Sequence, residues 1–273
     1  MKFSVVVSTH MSEFQAATFQ GDLRANLARV AAAGYDGVEL AIRDPRLVDQ
    51  ARLEKLLKSQ RLVVPAIGTG QAWGEEGLSF TSQDLSVRRA AIDRVKSHIP
   101  LAARLRSLII IGLIRGITPH GQSHEDSLSY LLEALHEVAM AARPDGVRLA
   151  IEPLNRYETD LIRSVAEGLD LLDRLGADNV GLLLDTFHMN IEEPSIEGSM
   201  ASAGERIFHF HVADSNRRYP GAGHLDFRSI LGALQALGYS GFVSGEFLPW
   251  PDAFTAAERS LPHLRSVFSA CQH

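Results

Sequence analysis

Apolar and polar positions along this chain follow two alternating rhythms. Short aliphatic and β-branched runs, as expected of strands buried on both faces, fall at residues 3–8, 37–42, 62–67, 108–113, 148–153, 180–185, 207–213 and 241–247. Between them lie stretches with the three-to-four-residue apolar spacing of amphipathic helices, at 22–33, 48–60, 86–104, 124–143, 164–175, 195–203, 227–237 and 253–270. Eight strands alternating with eight helices, without a Gly/Ser linker or low-complexity tract, predict an α/β chain folded as a single (β/α)8 TIM barrel over residues 1–273. An open doubly wound sheet is the rival. It would place a glycine-rich turn after the first strand, where this chain reads THMSEF, and Gly68–Thr69–Gly70 lacks the third glycine of that motif.

Composition narrows the partners more than the fold. A net charge of −6 with no dense Lys/Arg tract argues against nucleic acid. The single cysteine, Cys271, cannot form an intrachain disulfide, which fits a reducing compartment. Neither a signal-peptide pattern nor a bilayer-length apolar run is present, so the expectation is a cytoplasmic protein with no membrane partner. The zinc-protease pair is missing too, because HEVAM at 136–140 has no second histidine.

Candidate chemistry gathers at the ends of strands five to eight. Glu152, Asp185, His211 and Glu246 close the runs LAIEPL, GLLLDT, IFHFHV and FVSGEF, and lie 33, 26 and 35 positions apart, about one strand-plus-helix repeat each. Side chains alternate along a strand, and all four share the parity that points into the barrel mouth, where barrel enzymes do their chemistry. Three carboxylates and one imidazole form a divalent-metal site; the oxygen-rich set suits Mn2+, Mg2+ or Co2+, and ligand type alone leaves Zn2+ open. His209 shares the face of His211 one layer deeper and reads as a hydrogen-bonded core histidine.

The segments IEPLNRYETD, LLLDTFHMNIEE, HFHVADSNRRYPGAGHLDF and SGEFLP resemble the xylose-isomerase-like sugar isomerase/epimerase superfamily, more closely its ketose 3-epimerase branch, with tagatose and psicose 3-epimerases. In the first half, AIRDPRLVD and AIGTGQAWG resemble 5-keto-L-gluconate epimerase-like proteins. The resemblance implies one divalent ion, Mn2+ foremost, on Glu152, Asp185, His211 and Glu246, and substrate contacts from Glu158, His188 and Arg217. It also implies a sugar substrate and a homodimer or homotetramer. Asp214–Ser215 and the stretch EFLPWPDA depart from many ketose epimerases, and both bear on which sugar is bound.

The activity this implies is metal-dependent epimerisation of a ketose or keto-sugar acid, such as 5-keto-L-gluconate, through a cis-enediolate. Inversion requires a proton to leave one face and return to the other, and Glu152 and Glu246 are placed to flank the sugar as catalytic base and acid. His188 would hydrogen-bond the carbonyl oxygen, and Arg217 would fork onto two substrate oxygens. Glu39 either orients a neighbour or satisfies a core site, and His224 either braces its loop or acts in the site. His10 is equally readable as lining or exposed, Arg115 reads as a surface arginine ahead of a contact for a substrate carboxylate, and Trp73 and Trp250 are candidate apolar walls. Aldose–ketose or hydroxypyruvate isomerisation, keto-inositol dehydration and non-catalytic sugar binding are the alternatives. A multi-zinc phosphodiesterase would need more strand-end histidines and a basic groove.

Overall fold

The structure, a computed structural model, describes residues 1–271. Eight parallel strands close into a barrel in sequence order: β1 (Lys2–Ser8), β2 (Glu39–Ala41), β3 (Ala66–Gly68), β4 (Leu108–Ile111), β5 (Leu149–Ile151), β6 (Val180–Asp185), β7 (Ile207–Val212) and β8 (Phe242–Gly245). β8 pairs with β1 through Phe3↔Val243 and Val5↔Gly245, so no edge strand is left. Around them run α1 (Leu23–Ala32), α2 (Gln50–Gln60), α3 (Gln71–Glu76), α4 (Leu85–Leu105), α5 (His124–Ala142), α6 (Val165–Leu175), α7 (Thr186–Glu192), α8 (Ile196–Ala203), α9 (Phe227–Ala236) and α10 (Ala253–Ala270). None of these helices is long and apolar enough to cross a membrane.

Local chemistry explains the boundaries. Asp22, Asp84, Ser123, Ser164 and Asp252 each cap a helix by accepting a backbone N–H from its first turn. Strand three, expected at 62–67, forms its ladder only over Ala66–Gly68. Pro65 has no N–H to give, and Val63 makes an isolated bridge to Gly37. Two short helices were not expected. α3 follows β3 at once, and α7 starts directly from Asp185, whose Oδ1 accepts the Phe187 N–H at 2.7 Å.

Strand parity divides the core in two. Val5, Leu40, Ile67, Ile109, Ile151, Leu184, Phe210 and Val243 face the helices, within one continuous apolar shell. Ala66, Leu108, Ile110, Ala150 and Leu183 fill the lumen, with Phe208 packed against them. Register along β6–β7 runs Leu182↔Ile207 and then Leu183↔His209, so Phe208 is the extra residue of a bulge. That bulge puts the Phe208 ring where a side chain at position 181 would sit. A Cβ on Gly181 would lie 2.4 Å from the ring, which accounts for glycine there. Above this plug the lumen carries polar side chains.

Candidate metal centre and active site

Each of the four strand-end candidates arrives from a different strand. Glu152 follows β5, Asp185 ends β6, His211 lies in β7 and Glu246 follows β8. One donor atom from each falls within 4.8 Å of all the others. His211 Nδ1 is at the centre, 3.7 Å from Glu152 Oε1, 3.7 Å from Asp185 Oδ2 and 3.9 Å from Glu246 Oε2. Among the described residues, Glu152 Oε1, Asp185 Oδ2 and His211 Nδ1 are buried polar atoms with no hydrogen-bond partner. Such atoms cost stability when nothing is bound to them, and three carboxylates with one imidazole are the donor set of a hard-to-borderline divalent cation. The residues present fit the group that their spacing implies.

The electrostatics agree. Burial pushes the Glu246 carboxyl well above the usual carboxylate range, and the nearby Glu152 adds to the rise. Burial acts in the same direction on Asp185, but His211, His188 and Arg217 hold it below its ordinary value. Burial also opposes charge on His211, yet Glu39 and the surrounding carboxylates raise it well above the ordinary histidine range. A dication at the centre of this crowd would relieve the carboxylate repulsion.

Behind His211 stands Glu39. Its Oε2 accepts from His209 Nε2 at 2.8 Å and from His211 Nε2 at 2.9 Å, and its Oε1 lies 3.0 Å from His211 Nε2. His209 is therefore the buried, hydrogen-bonded histidine its position suggested, and Glu39 contacts a member of the centre, His211, as well as His209.

The three expected substrate contacts line one cavity of about 230 Å3 together with Glu152, His211 and Glu246. Arg217, carried at φ 59°, donates to Glu158 Oε1 at 2.7 Å, and its guanidinium lies over the Phe187 ring at 4.8 Å. His188 Nδ1 accepts from the Asn155 side-chain amide at 2.7 Å and its backbone N–H at 3.3 Å. The Asn155 amide cannot be turned over, because its Oδ1 accepts the Tyr157 N–H at 2.9 Å. With Nδ1 an acceptor, the His188 proton sits on Nε2, which has no partner among the described residues and is free to donate. Asn155 was visible in IEPLNRYETD, but only its contact with His188 identifies its role.

Other expectations divide. Arg115 is not at the surface: it is fully buried, and its guanidinium donates to the carbonyls of Gly112, Glu152, Leu161 and Ile162. Burial lowers it to about 10, and the carbonyl cage needs a planar multi-donor group that sequence position does not reveal. His224 braces its loop through Ser215 Oγ at 2.9 Å. His10 is held by Glu75 at 3.2 Å. Trp73 lines the cavity, whereas Trp250 stacks against Arg218 and is not part of the lining. Gln71, Glu75 and Glu13 add a polar wall that the sequence did not single out. It rests partly on α3, a helix too short to leave a periodic signal.

Comparison with known proteins places this geometry in a family. Residues 27–267 match the model of the xylose isomerase-like TIM barrel. The chain is 33% identical over 244 residues to an L-ribulose 3-epimerase of Mesorhizobium japonicum, covering 88% of this chain and 80% of that protein. It is 31% identical over 225 residues to a D-psicose 3-epimerase of Agrobacterium fabrum, covering 80% and 76% of the two chains. A solved L-ribulose 3-epimerase structure superposes with a TM-score of 0.82 at 28% identity, covering 98% of this chain and 96% of that one. The chain belongs to the xylose isomerase-like TIM barrel family.

Proposed function

We propose that the protein is a divalent-metal-dependent ketose epimerase that inverts carbon 3 of a neutral sugar through a cis-enediolate. The observation that carries this is the convergence of Glu152, Asp185 and Glu246 on His211 Nδ1, with two of the carboxylates three strands apart around the cavity. The related proteins named as 3-epimerases support the choice of carbon.

A cation on Glu152, Asp185, His211 and Glu246, for which the oxygen-rich set favours Mn2+, supplies Lewis acidity that makes a C–H bond beside a ketone easier to ionise. One of Glu152 and Glu246 takes the proton from carbon 3. The C–H electron pair moves into the carbon–carbon bond of the enediolate as the ketone oxygen gains charge. His188 Nε2–H donates to that oxygen, its direction set by Asn155. The other glutamate delivers a proton to the opposite face, and the ketone re-forms with the stereocentre inverted. Arg217, steadied by Glu158 and Phe187, holds the substrate hydroxyls.

The lining also speaks to the substrate. Glu13, Glu39, Glu75, Glu152, Glu158 and Glu246 face the cavity, and its one guanidinium, Arg217, is already engaged by Glu158. With its one guanidinium already paired, the lining favours a ketose with free hydroxyls over a sugar acid, whose carboxylate would find no unengaged arginine or lysine there. Proton NMR in D2O tests the reading, with Mn2+-loaded protein, the paramagnetic ion chelated before each spectrum, and a panel of L-ribulose, psicose, fructose, tagatose and 5-keto-L-gluconate. Loss of the carbon-3 proton signal with appearance of the epimer, absent in E152Q and E246Q, is the expected result. An aldose product would favour isomerisation, and no exchange with any compound despite bound metal would refute the reading.

A further inference from the structure

We propose that Glu39 is the positioning residue of the metal centre. From the opposite side of the lumen it takes the Nε2–H of His209 and His211 together, and so fixes His211 with its Nδ1 lone pair turned toward Glu152, Asp185 and Glu246. The inference rests on the metal-centre reading above and adds a residue that acts through a ligand rather than as one.

Four observations carry it. The contacts are short and charge-assisted: 2.8 Å to His209, and 2.9 and 3.0 Å to His211. All three side chains are essentially sealed, at 3% exposure for Glu39, 2% for His209 and 1% for His211. Among the described residues no lysine or arginine pairs with Glu39, so these two imidazoles are what compensates its buried charge. Finally, the His209 and His211 rings meet edge to face at 5.2 Å and 78°, which restrains the plane of His211 as well as its direction.

A carboxylate suits this place for a reason a generic polar filler does not meet. It can only accept, so both histidines must present Nε2–H, and the acceptor nitrogen of His211 is then Nδ1. A glutamine could offer one carbonyl oxygen to both imidazoles, but its NH2 would then face the His211 Nε2–H that Glu39 Oε1 meets at 3.0 Å, donor against donor. Partners of this kind orient metal-binding histidines and strengthen them as donors.

The test compares wild type with E39Q by Mn2+ titration, by visible absorption of the Co2+-loaded proteins and by circular dichroism without metal. Expected are one Mn2+ per wild-type chain, an affinity about 10–100-fold weaker in E39Q, an altered Co2+ band and an unchanged metal-free dichroism spectrum. Should E39Q fail to fold, 15N NMR of histidine-labelled, Zn2+-loaded wild type reads the same point, with the His211 proton on Nε2 and the metal-shifted nitrogen at Nδ1. Equal Mn2+ affinity and an equal Co2+ band in E39Q would overturn the inference while leaving the metal reading intact. So would a His211 proton on Nδ1, or two Mn2+ per wild-type chain with one lost in E39Q, since Glu39 would then be a ligand. No Mn2+ binding to wild type would overturn both.

Discussion

Arg217 and Glu158 stand 59 residues apart in the chain, and their side chains meet at 2.7 Å beside the four candidate ligands. The pair joins the loop after β5 to the loop after β7 across the cavity mouth. Arg217 is also held by its own backbone: its N–H donates to the Asp214 carbonyl and its carbonyl accepts the Leu248 N–H, both at 2.8 Å.

Replacing Arg217 with lysine keeps the charge and removes the fork and the stack on Phe187. R217K is expected to lose about 10–100-fold in kcat/KM, in line with the ~1.5–3 kcal/mol of a hydrogen bond to a charged group, with Mn2+ still bound. Steady-state kinetics beside a metal titration decide this; unchanged kcat/KM would remove Arg217 from the substrate contacts.

A Cβ at Gly112 would lie 2.9 Å from Glu152 Oε2, and the backbone there sits at φ −94° and ψ −121°. G112A therefore pushes on a candidate ligand from the neighbouring strand end. Mn2+ affinity is expected to fall about tenfold, equivalent to ~1.4 kcal/mol, which isothermal titration measures directly. Wild-type affinity in G112A would mean that Glu152 yields without loss.

N155D reverses the hydrogen bond to His188. A carboxylate cannot donate to Nδ1 and instead attracts the ring proton there, opposed only by the longer Asn155 backbone N–H at 3.3 Å, so Nε2 is weakened as a donor. The expected outcome is a kcat lower by about 10²-fold with a smaller change in KM, in line with losing a donor to a developing oxyanion. A variant with wild-type kcat would show that His188 does not serve the ketone oxygen.

Away from the cavity, Asp44 is lowered to about 2 by hydrogen bonds from Arg46, with Arg94 adding attraction from 3.3 Å. Its folded value lies below the unfolded ~3.9, so the stability it contributes is present above about pH 4 and is lost as pH falls through about 2. Arg46 is largely exposed, so solvent screening reduces the contribution to about 1 kcal/mol. Urea unfolding should show D44N less stable than wild type by that amount at pH 7, with the gap closing between about pH 4 and pH 2. A gap that persists at pH 2 would contradict the assignment.

Much of this was legible because its causes are local. Strand and helix periods depend on which neighbours are apolar, so eight units could be read in order, and closure followed from their number and alternation. Glu152, Asp185, His211 and Glu246 could be grouped because parity and repeat length fix both the face and the height of a strand-end side chain. Where Pro65 withheld a donor the strand shifted, and where α3 and α7 were short no period could announce them.

Other features exist only once the barrel is closed. Glu39 meets His209 and His211 across 170 and 172 residues, a contact set by the width of the lumen and by the bulge at Phe208. Arg115 was favoured at the surface, whereas its burial depends on carbonyls of Leu161 and Ile162 in the loop between β5 and α6, which no local pattern directs toward it. The proton on His188 likewise depends on Asn155, an amide whose orientation is set two residues further on. Period and spacing determined the scaffold and its four strand-end donors; the tautomers, buried charges and cavity wall were decided by tertiary structure, because hydrogen bonds between distant side chains depend on ångström distances that sequence separation does not encode.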